Sequence, residues 1–318
     1  MAHHDSTRTM RVSDYLRLCL LAALWGASFL FMKIAAPVLG PWPTAFFRVL
    51  FGLLGLCAIL ALMRASWRFQ GKLKHAMALG VINSGLPFAM YCLAAQWLPA
   101  GYSAIFNATT PLMGIAIGAL FFGEAITGRK LAGVCLGLGG VAALTTTGPT
   151  ALSWPLAAGA LACLVSTGCY GLAGFLTRRW ITERGGLDAR LVALGSQLGA
   201  TLLLAPVFAA SVAVQPPASW GGPGVWAALL ALGLLCTAAA YVLYFRLIAD
   251  IGPLRSLSVT FLVPVFGVLW GALFLHEAVT GAHLLDGGLI AAALALVLAP
   301  APKPLSSPLP SGAAPPKA

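Results

Sequence analysis

His276, Glu277, His283 and Asp286 bring four groups able to hold a metal or move a proton into one short stretch, "HEAVTGAHLLD". The spacing suits neither chemistry. A zinc site of the H-E-x-x-H kind puts two His residues on one helical face, and ligand types without that geometry do not make a site. Asp286 is equally explained by pairing with His283 or by capping a helix. Catalysis by a nucleophile with its base, or by carboxylates around a metal, needs those groups gathered at one place. With eight Asp and Glu and five His in 318 residues, the inventory is too thin. No enzyme activity, metal or cofactor is expected.

Amides and hydroxyls that precede prolines are better placed, and their chemistry is binding. Asn107, Thr109 and Thr110 come before Pro111; Ser256, Ser258 and Thr260 before Pro264; Asn83 and Ser84 before Pro87, with Tyr91 one turn on. Proline removes a backbone donor and frees a carbonyl one turn back. Together with hydroxyls this makes a polar patch that can line a cavity and is excluded from contact with lipid. Ser166, Tyr170 and Tyr241 add three more hydroxyls within apolar runs. Any one of them is accounted for by hydrogen bonds between helices, worth about 0.6 kcal/mol each. As a set they suit a ligand site, which places a few polar groups on an apolar wall, and Asn107 is the leading residue. Trp25, Phe29, Phe106, Tyr91 and Trp270 are able to stack on a planar ligand, although such residues more often fill space between helices.

The elements that carry these residues are long and apolar. Hydrophobic residues make up 60% of the chain and charged residues 8%, with a mean hydropathy of +0.92. That is too little charge to cover a soluble globule of this size. Crossing a bilayer takes about 20 residues of helix. Read at that length, the sequence holds ten segments, at 16–36, 44–63, 75–95, 100–122, 130–148, 156–177, 189–211, 223–248, 254–275 and 283–300. The first follows a basic stretch but carries no small-residue cleavage site leading to a soluble start, so it reads as a retained helix. The seven cysteines all lie inside these segments and read as small packing residues.

The net charge of +11 falls on one side. With the N-terminus inside, seventeen of the nineteen Lys and Arg lie in inside connections, and the outside ones hold none. This is the asymmetry of the positive-inside rule over short loops; it places both termini in the cytoplasm and argues against nucleic acid as a partner. Lys33 and Arg48 break the rule, near the outer ends of their segments. A long side chain there reaches headgroups by snorkelling, the simpler reading for Lys33. An outward vestibule that draws in a carboxylate is the alternative, and for Arg48, whose guanidinium matches a carboxylate bidentately, the two readings stand level. Residues 1–15 form a cytoplasmic tail, and 301–318, rich in Pro, Ser and Ala, a disordered one.

The chain repeats itself. Pro111–Gly128, "PLMGIAIGALFFGEAITG", and Pro264–Gly281, "PVFGVLWGALFLHEAVTG", agree at ten of eighteen positions with a shift of 153. The two halves, 16–148 and 156–300, hold five segments each, and an odd number inverts the second relative to the first. Arg129 and Lys130 accordingly give way to Ala282 and His283. Pro111, Glu124, Pro264 and Glu277 mark the repeat. Both glutamates sit at segment ends, where a carboxylate favours the positive end of the next helix; functional intramembrane acids lie deeper, so a structural role is expected.

"LWGASFLFMK", the "FR" of "FFRVLFG", the P…GE tail of each half and "YFRLIADIGPLRSLSVTFLVPVFGVLWGALFLHE" resemble the EamA domain of the drug/metabolite transporter superfamily. The resemblance spans nearly all of 16–300. It implies an all-α, ten-helix carrier of small metabolites, often an exporter of amino acids or related compounds. The second half departs from the pattern, with Tyr170-Gly171 for Trp25-Gly26 and Gln197 near the place of Arg48.

The expectation is thus a secondary carrier of the inner membrane, working by alternating access around a central site. A multidrug efflux carrier is the alternative within the class; an intramembrane enzyme or a scaffold has less to support it. A cationic ligand would lack a counter-charge, which favours neutral, zwitterionic or anionic substrates. With no acid or His at mid-segment to relay protons, facilitated export or exchange is preferred over proton coupling.

Overall fold

The computed structural model describes residues 11–147, 153–251, 256 and 259–298. Ser258, Arg255 and the tail 301–318 fall outside the described residues, as do the side chains of His283 and Asp286. Helices and their connections make up the whole of the described chain: α1 Val12–Leu39, α2 Pro41–Leu62, α3 Leu73–Ala94, α4 Ala100–Asn107, α5 Thr110–Phe122, α6 Gly128–Thr147, α7 Trp154–Trp180, α8 Ala189–Val214, α9 Pro223–Ile251, α10 Val259–Leu275 and α11 Gly281–Leu298. α1 begins inside the stretch expected to be a tail.

Six of these, α1, α2, α3, α7, α8 and α9, are long and apolar enough to cross a membrane among the described residues, and α4 with α5 forms a seventh, bent by 42°. Leu54, Leu120, Phe121, Leu161, Leu202 and Leu273 are exposed on their outer faces, the pattern of helices that meet lipid rather than water. The protein is an all-helical, multi-pass membrane protein.

Local sequence sets the joints. Gly40, at φ +87°, is the whole connection between α1 and α2. A residue with a Cβ is strained there, and Pro41 opens α2 without needing the donor it lacks. Pro37 lies within α1, so the connection expected between the segments 16–36 and 44–63 is a one-residue turn. At the α4–α5 break, Pro111 leaves Asn107 O without its intrahelical donor, and Thr110 Oγ1 donates to that carbonyl at 2.7 Å. α3 and α9 each widen into a π-helical stretch, Val81–Gly85 and Ala231–Ala239, at places related by the repeat.

Packing also comes in matched sets. α1 lies on α10 as α7 lies on α4 and α5; α2 lies on the widened part of α9 as α8 lies on α3; α6 pairs with α11, and α2 with α8. Glycines form the crossings. A Cβ on Gly26 would stand 2.9 Å from Gly267 N, and one on Gly171 2.8 Å from Gly114 N. Likewise Gly80 abuts the Ser196 backbone, and Gly233 the backbone of Arg48 and Gly52. Each crossing joins one half of the chain to the other, with Gly114 and Gly267, and Gly80 and Gly233, separated by the same 153 positions as the repeat.

Candidate functional site

A cavity of about 280 Å³ lies where these crossings meet. α1 contributes Trp25, Ser28 and Phe29; α2, Arg48; α3, Asn83 and Phe88; the α4–α5 break, Asn107 and Thr110. From the second half come Tyr170 of α7, Cys236, Thr237, Tyr241 and Tyr244 of α9, and Thr260 and Val263 of α10. The π-helical stretches supply Asn83, Cys236 and Thr237; such stretches release backbone groups and recur at functional sites. Thr237 Oγ1 donates to Leu232 O at 2.9 Å and so occupies one carbonyl of its own π segment.

Asn107 is fixed by its neighbours. Tyr91 OH donates to Asn107 Oδ1 at 3.0 Å, which leaves the Nδ2 hydrogens for the cavity. Tyr91 itself is buried, edge-on to Phe29 and stacked with Tyr170. A second support runs from Gln197, whose Nε2 donates to Ser84 Oγ at 3.0 Å. Trp25 packs against Tyr244 with ring centroids 5.2 Å apart.

Arg48 stands apart. It is 5% exposed and lies seven residues inside α2, about 10 Å from the helix end. Its guanidinium carbon sits 3.5 Å from the centroid of the Phe88 ring. Its Nη1 donates to Met32 Sδ at 3.2 Å, a weak acceptor, and its buried Nε has no partner among the described residues.

The sequence that builds this frame matches one family description in two successive stretches. The description "EamA-like transporter family" fits residues 14–146 and again 157–299. The chain belongs to the EamA-like transporter family. It is a transporter, not an enzyme. An "uncharacterized transporter" of Archaeoglobus fulgidus is 28% identical over 278 residues, covering 84% of this chain and 91% of its own. A protein of Escherichia coli K12 named "probable amino-acid metabolite efflux pump" is 24% identical over 289 residues, covering 88% and 93%. A protein solved by crystallography superposes with a TM-score of 0.60 over 91% of this chain and 97% of its own; at 20% identity it speaks for the fold alone.

Within this EamA-like transporter, Trp25, Arg48, Asn83, Asn107, Thr110, Tyr170, Tyr241 and Thr260 meet at the cavity. Ser166 does not: it is buried, and its Oγ donates to Pro87 O and Ala162 O at 3.0 and 3.1 Å. Tyr91 acts on the cavity through Asn107. Phe106 is buried and Trp270 Nε1 donates to Ala23 O at 3.0 Å, so both serve packing. Lys33 is half-buried beyond the cavity lining, within reach of the Glu277 charge. Glu277 caps a helix, though not the next one. Its Oε1 accepts from Ala100 N at 2.7 Å and its Oε2 from Gly101 N at 3.2 Å, at the start of α4 in the other half. Glu124 and Glu277 share one turn, each backbone N–H reaching six residues back to Gly118 O and Gly271 O. Cys92, Cys163 and Cys236 are buried, whereas Cys19 and Cys135 are exposed on the apolar exterior. Among the described residues no three His, Cys, Asp or Glu side chains form a metal-binding group.

The sequence reading passed over Ser28, Phe88, Thr237 and Tyr244. Helical spacing was the available signal: Ser28 follows Trp25 by three residues, and Thr237, Tyr241 and Tyr244 lie four and three apart, on one face.

Proposed function

We propose that this chain is a ten-helix secondary carrier, built as two inverted five-helix repeats, that exports small metabolites across the inner membrane by alternating access. Its substrates are amino acids or related zwitterionic or anionic compounds, and both termini are cytoplasmic. The observation that carries this reading is the cavity of about 280 Å³ between the two halves, walled by aromatic side chains and pointed with Arg48, Asn83, Asn107 and Thr260. A mostly apolar cleft with a few fixed polar groups is the form of a small-molecule site. Its position at the crossings of duplicated helices is where carriers of this construction hold substrate. The name of the Escherichia coli relative points to the same substrate class.

Arg48 weighs against a pump for lipophilic cations, because a cation beside a buried guanidinium and no carboxylate gains only repulsion. With no acid among the lining residues, facilitated export or exchange is favoured over proton coupling.

Mass spectrometry of the medium from cells expressing the wild type or Asn107→Ala tests the reading. A metabolite that accumulates outside with the wild type and not with the variant supports it. Indistinguishable media at equal membrane expression overturn the assignment as an exporter of common metabolites.

A further inference from the structure

The charge of the cavity narrows the substrate further. Arg48 carries a guanidinium, a cationic group, and at 5% exposed it lies out of bulk water. A charge so placed is strongly unfavourable unless paired. The protein supplies it with little. Phe88 covers one face of the guanidinium, Met32 Sδ takes Nη1, and Arg48 forms no ion pair among the described residues. Nε, which together with Nη2 makes the two-pronged donor that fits a carboxylate, has no hydrogen-bond partner among the described residues. Asn107 is of the same hand: with its Oδ1 taken by Tyr91, it offers N–H donors. No lining residue is acidic.

We propose that the ligand of this cavity is a monoanionic carboxylate whose nitrogen, if it has one, is uncharged, such as an N-acylated amino acid or a 2-hydroxy acid with an apolar body. The carboxylate takes the free edge of Arg48, and the body lies against Trp25, Tyr170 and Tyr244. A zwitterion is the poorer fit. Its carboxylate pairs with Arg48, but its ammonium is then the unpaired buried cation, with no acid at hand. This selection rests on the carrier reading above and sharpens it.

A charge series on one body tests it: N-acetylphenylalanine and 3-phenyllactate as monoanions, phenylalanine as zwitterion, phenylalaninamide as cation. Binding to the purified full-length protein is read by thermal shift, and exchange by counterflow in proteoliposomes. The two monoanions are expected to bind at least about tenfold more tightly than phenylalanine, with no binding of the amide. Arg48→Lys should weaken the monoanions about tenfold by losing the two-pronged match. Arg48→Gln should abolish the preference for acid over amide, while Leu202→Ala on the outer face of α8 keeps it. Phenylalanine or its amide binding as well as the monoanions, an unchanged preference in Arg48→Gln, or no binding by any of the four, overturns the proposal. Binding of the monoanions without counterflow leaves the charge selection standing and refutes the carrier reading alone.

Discussion

Removing the Glu277 carboxylate should loosen the joint between the two halves by an amount the structure fixes. Its two oxygens accept from Ala100 N and Gly101 N, at 2.7 and 3.2 Å, across 177 and 176 residues of chain. Those are two of the first N–H groups of α4, which have no partner inside their own helix. A hydrogen bond to a charged acceptor contributes about 1.5–3 kcal/mol, and an N-cap about 1 kcal/mol. Two contacts to one half-buried carboxylate, one of them long, together contribute about 3 kcal/mol. At about 1.5 °C per kcal/mol for a chain of this size, Glu277→Ala should lower the apparent melting midpoint by about 4–5 °C. Glu277→Gln keeps one acceptor oxygen and turns an amide N–H toward the other backbone donor, so it should fall between. Tryptophan fluorescence of the purified protein in detergent during heating reads both. A Glu277→Ala midpoint within about 1 °C of the wild type, or Glu277→Gln melting below Glu277→Ala, would refute the capping account.

Two further outcomes follow from close contacts and from charge. Gly80→Ala and Gly233→Ala each drive a methyl into backbone of the facing helix, Ser196 for the first and Arg48 with Gly52 for the second; each should cost about 3 kcal/mol or more and reduce folded yield in size-exclusion chromatography, whereas Gly174→Ala, with nothing in reach, should be silent. Asp188 caps α8 by accepting from Arg190 N at 2.9 Å and pairs with the Arg190 guanidinium, which holds its carboxyl below the ordinary range. A depressed folded pKa contributes stability above the unfolded value of about 3.9 and loses it as pH falls through the folded one. Asp188→Asn should therefore cost a little at neutral pH, at most about 1 kcal/mol because the pair is exposed to solvent, and the difference should vanish in strong acid; a difference that grows on acidification in pH-dependent melts would contradict this.

The apolar runs, the repeat and the polar residues ahead of proline were legible in the sequence because each is a local pattern. Asn107, Thr110 and Thr260 could be picked out since proline announces where a helix must give up a carbonyl. The π-helical widening of α9 was not legible: Ala231–Ala239 contains no proline, and the wide turn there is set by its contact with α2, a partner far away in sequence. The reach of Glu277 was invisible for the same reason. Local logic assigns a carboxylate at a turn to the helix that follows, whereas the start of α4 is brought to it by the packing of α10 on α4. Pro37 sits within α1 and Pro41 opens α2, so both prolines extend the helices across the gap expected between 36 and 44. With α2 starting at Pro41, Arg48 lies seven residues inside its helix and is buried, so it does not reach headgroups from the helix end.

The frame is more symmetric than the cavity it surrounds, and the difference has a physical basis. Gly114 and Gly267, or Gly80 and Gly233, hold equivalent crossings because backbone approach depends only on the absence of a side chain. The alternating access proposed above calls for two conformations of similar free energy, which matched crossings in two like halves would favour. The lining residues at equivalent places differ: Asn107 against Thr260, Trp25 against Tyr170, and Arg48 on the cavity wall against a buried Gln197 turned to Ser84. A small molecule has no two-fold axis, so a site that recognises one end of it must break the symmetry of its frame. The largest break is one of charge, and it falls at Arg48.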